Sequence, residues 1–134
     1  RLATEAEWEY AARGGLDGMI FPWGNEISHD NANYVGAKGK DIWKGTSPVG
    51  SFDPNEFGLS DMAGNVGEWV AEGVRPYEVT QSGGSEDSSP DPVRGFRGGS
   101  WEYPGRILRT SCRMSAHLYQ QSNAKGIRCV LDVE

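Results

Sequence analysis

The sequence predicts one α+β domain with few regular elements, and three observations support that fold class. Nineteen glycines and seven prolines among 134 residues indicate a backbone rich in turns. Five tryptophans and five tyrosines are typical of a packed chain and not of a disordered one. One segment carries a full set of helix signals, while the other apolar stretches suit only short strands. With 37% hydrophobic residues the chain can bury one core, so we predict a single domain over residues 1–134.

The predicted helix is the first element of the chain. Residues 4–7, TEAE, form a capping box, in which the Thr4 side chain accepts from the amide of residue 7 and Glu7 reaches back to the Thr4 amide. Apolar residues then recur at the i, i+3 and i+4 spacing of one helix face: Trp8, Ala11 and Ala12. Two glycines at positions 14 and 15 predict the end of the helix.

Beyond the helix, turns are predicted to alternate with short strands. Proline, glycine and polar residues predict turns or loops at 21–26, 29–34 and 47–65. Short strands are expected at 66–70, 95–101 and 126–132. Residues 81–92 contain no apolar side chain, which predicts a flexible surface insertion and not a second domain.

Charge and hydropathy exclude two kinds of partner. The net charge of −6 and the pI near 4.9 leave no basic stripe to neutralise phosphates, so no nucleic-acid partner is predicted. No apolar run approaches the length of a membrane span, and no signal-peptide pattern is present. The chain opens without methionine and directly on a helix start, so we expect a piece of a longer protein. A targeting signal would then lie upstream of Arg1; the compartment stays open, and an extracytoplasmic or cell-surface location is compatible with the sequence.

Neither cysteines nor serines form a recognisable nucleophile pattern. Cys112 and Cys129 are too few for a disulfide-built scaffold; they can pair with each other, pair with a segment outside this sequence, or stay reduced. Arg109 and Arg113 lie near Cys112 in sequence, but a buried, unreactive cysteine is the simpler prediction. Ser100 follows two glycines without the G-x-S-x-G pattern of a nucleophile elbow.

The stretch DMAGNVGEWV at residues 61–70 suits neither a helix nor a strand, because of its glycines, aspartate and asparagine. In a looped backbone Asp61 and Glu68 can approach one point by their side chains, and Gly64 and Val66 by their carbonyls. These four residues are called the 61–68 cluster below. Hard oxygen ligands of this kind are those that Ca²⁺ prefers. The residues therefore predict either a calcium loop or a tight buried turn whose carboxylates cap neighbouring amides.

A second set of oxygen ligands is predicted in the loop that follows residue 30. It consists of the side chains of Asn33 and Asp41 with the carbonyls of Tyr34 and Trp43, and is called the 33–43 cluster. The two histidines of the chain are too few for a three-histidine catalytic zinc site.

Five segments occur in an order and at separations that resemble a known family: RLATEAEWEYAARGG, FPWGNE, FGLSDMAGNVGEWV, RGFRGGSW and GIRCV. They resemble the formylglycine-generating enzyme family, also called the sulfatase-modifying-factor domain, whose fold is C-type-lectin-like. The resemblance extends from Arg1 to about Val130. It implies that the N-terminal part of the longer family domain lies outside this sequence.

The resemblance implies that both oxygen clusters are structural calcium sites. In the family the segment corresponding to residues 61–70 wraps a Ca²⁺ ion, and a second ion is held at positions that match the 33–43 cluster. Every side-chain ligand is present here. We therefore expect one or two structural Ca²⁺ ions, which would hold together loops that lack a regular hydrogen-bond ladder.

The resemblance also implies that the family's catalytic site has been lost. Catalytic members oxidise a substrate cysteine to formylglycine with two cysteines, just after the GGS motif, that hold Cu(I), and soft thiolates suit that metal. By position these cysteines are replaced by Tyr103 and Leu108. Gly67 replaces a family tryptophan and Ser115 a family arginine, while Ser100 is retained. No copper is expected.

The family's disulfide pattern is altered as well. The resemblance implies that the partner of Cys112 would be in the first helix, where this chain has Ala12. The partner of Cys129 would lie upstream of Arg1. We therefore expect no Cys112–Cys129 bond.

Binding or display is the function that the sequence favours. Residues 101–119 mix aromatic, apolar and basic side chains, and tyrosine and arginine are enriched at interfaces. The resemblance adds that some proteins of this fold are variable proteins of diversity-generating retroelements, which display diversified residues in this segment. The candidate contacts to a protein or small ligand are Tyr103, Gly105, Ile107, Leu108, Ser115, His117 and Tyr119. Packing of several of them into the core is the alternative, and Trp101 is expected to anchor the core.

Two other functions remain open. One is an enzyme of another branch of the family, since relatives of the domain occur in sulfoxide synthases and in periplasmic pigment-maturation enzymes. The synthases take iron-binding histidines from another domain, which this chain does not contain. The other is a structural module of a larger assembly, such as the lipoprotein rings of a secretion machine.

Overall fold

The structure is a computed structural model that describes residues 1–72 and 93–133. In chain order it contains the helix α1 (Glu5–Arg13), the strands β1 (Gly67–Trp69) and β2 (Val93–Arg97), a 3-10 helix (Gly105–Leu108), and the strands β3 (Met114–His117) and β4 (Lys125–Gly126). The predicted α+β class with few regular elements is confirmed. The predicted insertion at 81–92 lies outside the described residues. Within them, no helix is long and apolar enough to cross a membrane.

The helix α1 has the predicted boundaries and caps. Thr4 Oγ1 accepts from the Glu7 amide at 3.2 Å, and Glu7 Oε2 accepts from the Thr4 amide at 2.8 Å. Gly14 ends the helix in the left-handed conformation, with φ of 56°. Asn55 Nδ2 donates to the Ala11 carbonyl at 2.7 Å, so a distant loop satisfies an acceptor of the last turn.

The four strands form one mixed sheet in the order β3-β2-β1-β4. β1 is antiparallel to β2 and parallel to β4, and β2 is antiparallel to β3. The first two predicted strands are found at shifted boundaries, since β2 begins at Val93 and ends before Gly98 and Gly99, both with positive φ. Of the third, predicted at 126–132, β4 includes only Gly126. β3 was not predicted, because its four residues, MSAH, carry little strand signal without their partner β2.

Among the described residues, the core consists of two clusters of buried side chains that meet at neighbouring residues. One contains Ala3, Trp8, Ala12, Met62 and Val70, and the other Phe21, Ala32, Ala63 and Leu108. Met62 and Ala63 are adjacent in sequence but belong to different clusters. The turn that begins at Asp61 therefore lies between the two halves of the core.

Candidate functional site

Residues 61–65 form a buried turn that ties three distant segments together. Asp61, Gly64 and Asn65 all have positive φ, of 58°, 79° and 58°. The Gly64 amide donates to the Gly98 carbonyl and the Asn65 amide to the Asn33 carbonyl, each at 2.8 Å. The Asn65 side chain exchanges hydrogen bonds with the backbone of residue 47. A glycine is required at position 64, because a Cβ there would overlap the Asn33 carbonyl. This explains why residues 61–65 suit neither helix nor strand, whereas the end of the same stretch does form a strand, β1.

The 33–43 cluster contains two buried oxygens without a hydrogen-bond partner. Asn33 is 1% and Asp41 0% exposed. Asn33 Nδ2 donates to the Gly45 carbonyl, and Asp41 Oδ2 accepts from the Tyr34 amide at 3.1 Å. Asn33 Oδ1 and Asp41 Oδ1 have no partner among residues 1–72 and 93–133. Buried polar atoms are nearly always satisfied, and a carboxylate and an amide oxygen are ligands that Ca²⁺ prefers. The residues present therefore fit a calcium ion.

The imidazole of His29 also contacts the Asp41 carboxylate. His29 Nδ1 lies 2.9 Å from Asp41 Oδ2, and the His29 ring stacks on Tyr34 at a centroid distance of 3.7 Å. These contacts fix the orientation of the Asp41 carboxylate and leave Oδ1 as its oxygen without a partner among the residues that the structure describes. Sequence reasoning did not identify His29 as part of this cluster, because it precedes Asp41 by twelve residues of irregular loop.

The 61–68 cluster is different, because the protein itself neutralises one of its two carboxylates. Arg128 Nη2 lies 2.7 Å from Glu68 Oε1, and Trp8 Nε1 donates to Glu68 Oε2 at 2.7 Å. Burial alone would lower the pKa of Arg128, but the hydrogen bond to Glu68 and the negative charges of Glu68 and Asp61 together outweigh burial and raise the pKa. Asp61 Oδ2 accepts from the Gly50 amide at 2.6 Å. The cluster therefore fits a cation less well than the 33–43 cluster does.

Room for an ion nevertheless exists beside the 61–68 cluster. Asp61, Val66 and Glu68 line one cavity of about 440 Å³, together with Arg128. In the part of the chain that the structure describes, no three His, Cys, Asp or Glu side chains converge as a metal site. Calcium in either cluster would thus depend on amide and backbone oxygens as well as carboxylates.

The seven candidate ligand contacts divide between core and surface. Leu108 is fully buried in the cluster of Phe21 and Ala63, so the expectation that its side chain is displayed is wrong. The remaining six are exposed or half-buried: Tyr103, Gly105, Ile107, Ser115, His117 and Tyr119. The 3-10 helix turns Leu108 inward, which spacing along the sequence does not reveal.

Three of the six other candidates lie in or just before the 3-10 helix, and three lie on or just after β3. Gly105 packs closely against Ile27, since a Cβ at this glycine would lie 2.7 Å from Ile27 Cγ1. The Tyr103 carbonyl accepts from the Val35 amide at 3.1 Å. Burial, with a smaller contribution from the charge of Glu102, raises the pKa of Tyr103. The other element is the edge strand β3 and its end, where Ser115 and His117 are exposed and Tyr119 is 84% exposed.

A groove that the sequence did not predict lies beside Tyr103. Val35, Trp43, Lys44, Trp101 and Glu102 line this space of about 470 Å³, called the Trp43–Trp101 groove below. Both tryptophans are half-buried, and Trp101, which is expected to anchor the core, forms a wall of the groove and belongs to neither buried cluster. The groove joins segments almost sixty residues apart, which explains why no local motif indicated it.

Comparison with known proteins identifies the family. The family model described as the sulfatase-modifying factor enzyme 1-like domain matches residues 1–133. The chain belongs to this family. The predicted resemblance to formylglycine-generating enzymes is thereby confirmed, and it extends over nearly the whole sequence.

Two curated relatives of this sulfatase-modifying-factor domain carry contrasting names. The formylglycine-generating enzyme of Thermomonospora curvata is 48% identical over an alignment of 150 positions, which covers 98% of this chain and 49% of that protein. The inactive C-alpha-formylglycine-generating enzyme 2 of Mus musculus is 41% identical over an alignment of 141 positions, which covers 96% of this chain and 42% of that protein. The chain thus spans less than half the length of these relatives.

Solved structures of two similar proteins have the same fold as this domain. PvdO from Pseudomonas aeruginosa superposes with a TM-score of 0.77 at 37% identity, over 95% of this chain and 50% of that one. Treponema denticola variable protein 1 superposes with a TM-score of 0.72 at 29% identity, over 95% of this chain and 45% of that one. The predicted fold class is therefore confirmed.

Proposed function

We propose that this chain is a non-catalytic binding module of the sulfatase-modifying-factor family whose loops are held by calcium. The observation that carries the proposal is the environment of Leu108. This residue stands, by position, where catalytic members hold Cu(I) with a thiolate, and it is fully buried beside Phe21 and Ala63. Gly99 packs so closely that a Cβ there would lie 2.8 Å from Leu108 Cδ1. An aliphatic side chain in a close-packed core cannot bind copper.

Two of the similar proteins support a role without catalysis. The mouse relative is named as an inactive member of the family, and the Treponema protein is named as a variable protein. By analogy, this chain displays side chains to a protein or small ligand as a variable protein of a diversity-generating retroelement. Its surface would comprise the half-buried Tyr103, Gly105 and Ile107 and the exposed Ser115, His117 and Tyr119.

Calcium is the proposed source of rigidity in the loops of this module. Few residues lie in helices or strands, so few backbone groups are held by regular ladders. A cation in the 33–43 cluster would supply the partner that Asn33 Oδ1 and Asp41 Oδ1 lack within the described residues. It would also fix the Asn33 carbonyl, which accepts from the Asn65 amide of the central turn. The 61–68 cluster is proposed as a second, weaker site.

An enzyme of the same family is the second candidate function. It is favoured by the 48% identity to the Thermomonospora curvata protein named as a formylglycine-generating enzyme, and by the retained Ser100. In that case another residue would have to replace the copper thiolates.

A direct assay separates the two functions. The protein is incubated with Cu(I) and a cysteine-containing sulfatase peptide, and the aldehyde is sought by mass spectrometry, with the Thermomonospora curvata enzyme as the positive control. We expect no aldehyde above a boiled sample. Turnover above that background would establish the enzyme and overturn the non-catalytic proposal.

A further inference from the structure

The Trp43–Trp101 groove has walls that suit an apolar ring. Trp43 is held in place by an edge-to-face contact with the buried Phe52, at a centroid distance of 5.9 Å. Trp101 is held by its amide, which donates to the Asn65 carbonyl at 2.9 Å. Val35 adds an aliphatic wall, fixed by the hydrogen bond from its amide to the Tyr103 carbonyl. Rigid aromatic walls around about 470 Å³ have the size and character of a small-molecule site.

Two opposite charges lie at the rim of this groove. Lys44 and Glu102 both line it and are both exposed. Within the described residues, neither side chain forms an ion pair with another residue. Their positions on the two tryptophan-bearing segments make the rim complementary to a molecule that carries both an anion and a cation.

One wall residue also has a hydrogen-bond donor without an acceptor. Trp101 Nε1 is buried and donates to no group in the described parts of the chain. Buried indole N–H groups usually find a partner, so this nitrogen is an unsatisfied donor beside the groove; because it is buried, it is not counted among the contacts of a ligand there.

We propose that the Trp43–Trp101 groove binds a free amino acid with an aromatic side chain. The aromatic group would lie against the two indoles, the carboxylate near Lys44 and the ammonium near Glu102. The inference deepens the proposed binding function and rests on it. It assigns part of the ligand surface to a concave site next to Tyr103, lined by Val35, Trp43, Lys44, Trp101 and Glu102.

Isothermal titration calorimetry with L-tryptophan tests the proposal on the intact chain in calcium. The matched probe is N-acetyl-L-tryptophanamide, which has the same ring but neither charge. We expect L-tryptophan to bind at least about tenfold more tightly than the amide, because the rim charges contact only the zwitterion. Glycyl-L-tryptophan, which separates the two charges, distinguishes a peptide terminus from the free amino acid.

Single neutralisations at the exposed rim avoid damage to the fold. Lys44→Gln and Glu102→Gln should each weaken L-tryptophan binding roughly fivefold and leave the amide unaffected. Lys40→Gln, at another exposed lysine four residues away, should change neither. No binding of L-tryptophan at millimolar concentration, or equal affinity for the amide or the dipeptide, would overturn the groove proposal. The copper assay tests the non-catalytic function separately, so the two can fail independently.

Discussion

Arg128 binds Glu68 through two of its nitrogens, with Nη2 2.7 Å from Oε1 and Nε 2.9 Å from Oε2. Glu68 is on β1, and Arg128 follows β4, which pairs with β1 in parallel. Glu68 is 5% exposed and also accepts from Trp8 Nε1. The ion pair therefore joins the central strand to the C-terminal segment, with one partner inside the core.

Removal of the charge at Glu68 should destabilise the domain. Glu68→Gln leaves the partly buried Arg128 guanidinium without its counter-charge, and we expect a loss of about 2–3 kcal/mol in the free energy of unfolding. The control is Asp53→Asn, which removes an exposed partner of Lys40 and should cost less than about 1 kcal/mol. Urea denaturation measures both. Equal losses in the two variants would show that the buried pair contributes little.

Acid should weaken the contact between α1 and β2. Glu9 Oε2 lies 2.6 Å from Nη2 of the buried Arg97. Burial alone would raise the pKa of Glu9, but hydrogen bonds from Arg13 and Arg97 outweigh it and lower the pKa below its ordinary 4.5. The contribution of Glu9 is thus fully present above about pH 4.5 and is lost as the pH falls through the lower folded-state pKa. The free energy of unfolding should fall more steeply between pH 5 and pH 3 in the wild type than in Glu9→Gln. Parallel pH profiles would contradict this assignment.

The central turn should not tolerate a side chain at Gly64. Alanine there would combine a positive φ with overlap of the Asn33 carbonyl. The matched control is Gly18→Ala, where φ is also positive but no atom lies within 4 Å of the added Cβ. We expect the first variant to lose at least about 2 kcal/mol more than the second in denaturant unfolding. A similar loss in both variants would mean that the turn shifts enough to accommodate the added methyl group, and the prediction would be wrong.

Core and surface positions within residues 101–119 should respond differently to truncation. Leu108→Ala should cost about 2–5 kcal/mol, because the side chain is fully buried. Tyr119→Ala should stay within about 0.5 kcal/mol, because the ring is mostly exposed. Denaturant midpoints measure both. A large loss at Tyr119 would indicate that this residue packs against the protein, and the display surface would then lose its outermost member.

Sequence reasoning succeeded where the determining interactions are local. The capping box of α1 needs only Thr4 and Glu7, three residues apart, and both hydrogen bonds are present. The strand β3 was missed because its four residues become a strand only through pairing with β2. Leu108 was misplaced because the inward turn of a short 3-10 helix depends on the Phe21 and Ala63 side chains that it meets.

The candidate site shows the same difference between local motifs, which the sequence reveals, and long-range contacts, which it does not. Family motifs indicated which residues form the two oxygen clusters, but not which oxygens remain free. That Glu68 is held by Arg128, while Asp41 keeps one oxygen without a partner among the described residues, follows from contacts across sixty and twelve residues. Such long-range pairings determine how much negative charge remains to bind a cation. Spacing along the chain does not reveal them.

Thermal unfolding in calcium and in EDTA, with Asp41→Asn as the test variant, examines the central claim most directly. Wild-type protein should melt several degrees higher in calcium, since a ligand at a hundredfold excess over its Kd stabilises by about 3 kcal/mol. Asp41→Asn should lose most of this difference, because it removes the charge of a buried carboxylate whose Oδ1 would bind the ion at the stronger of the two proposed sites. Asp53→Asn, at an exposed aspartate, should keep the full difference. A wild-type melting temperature that EDTA leaves unchanged would contradict the account.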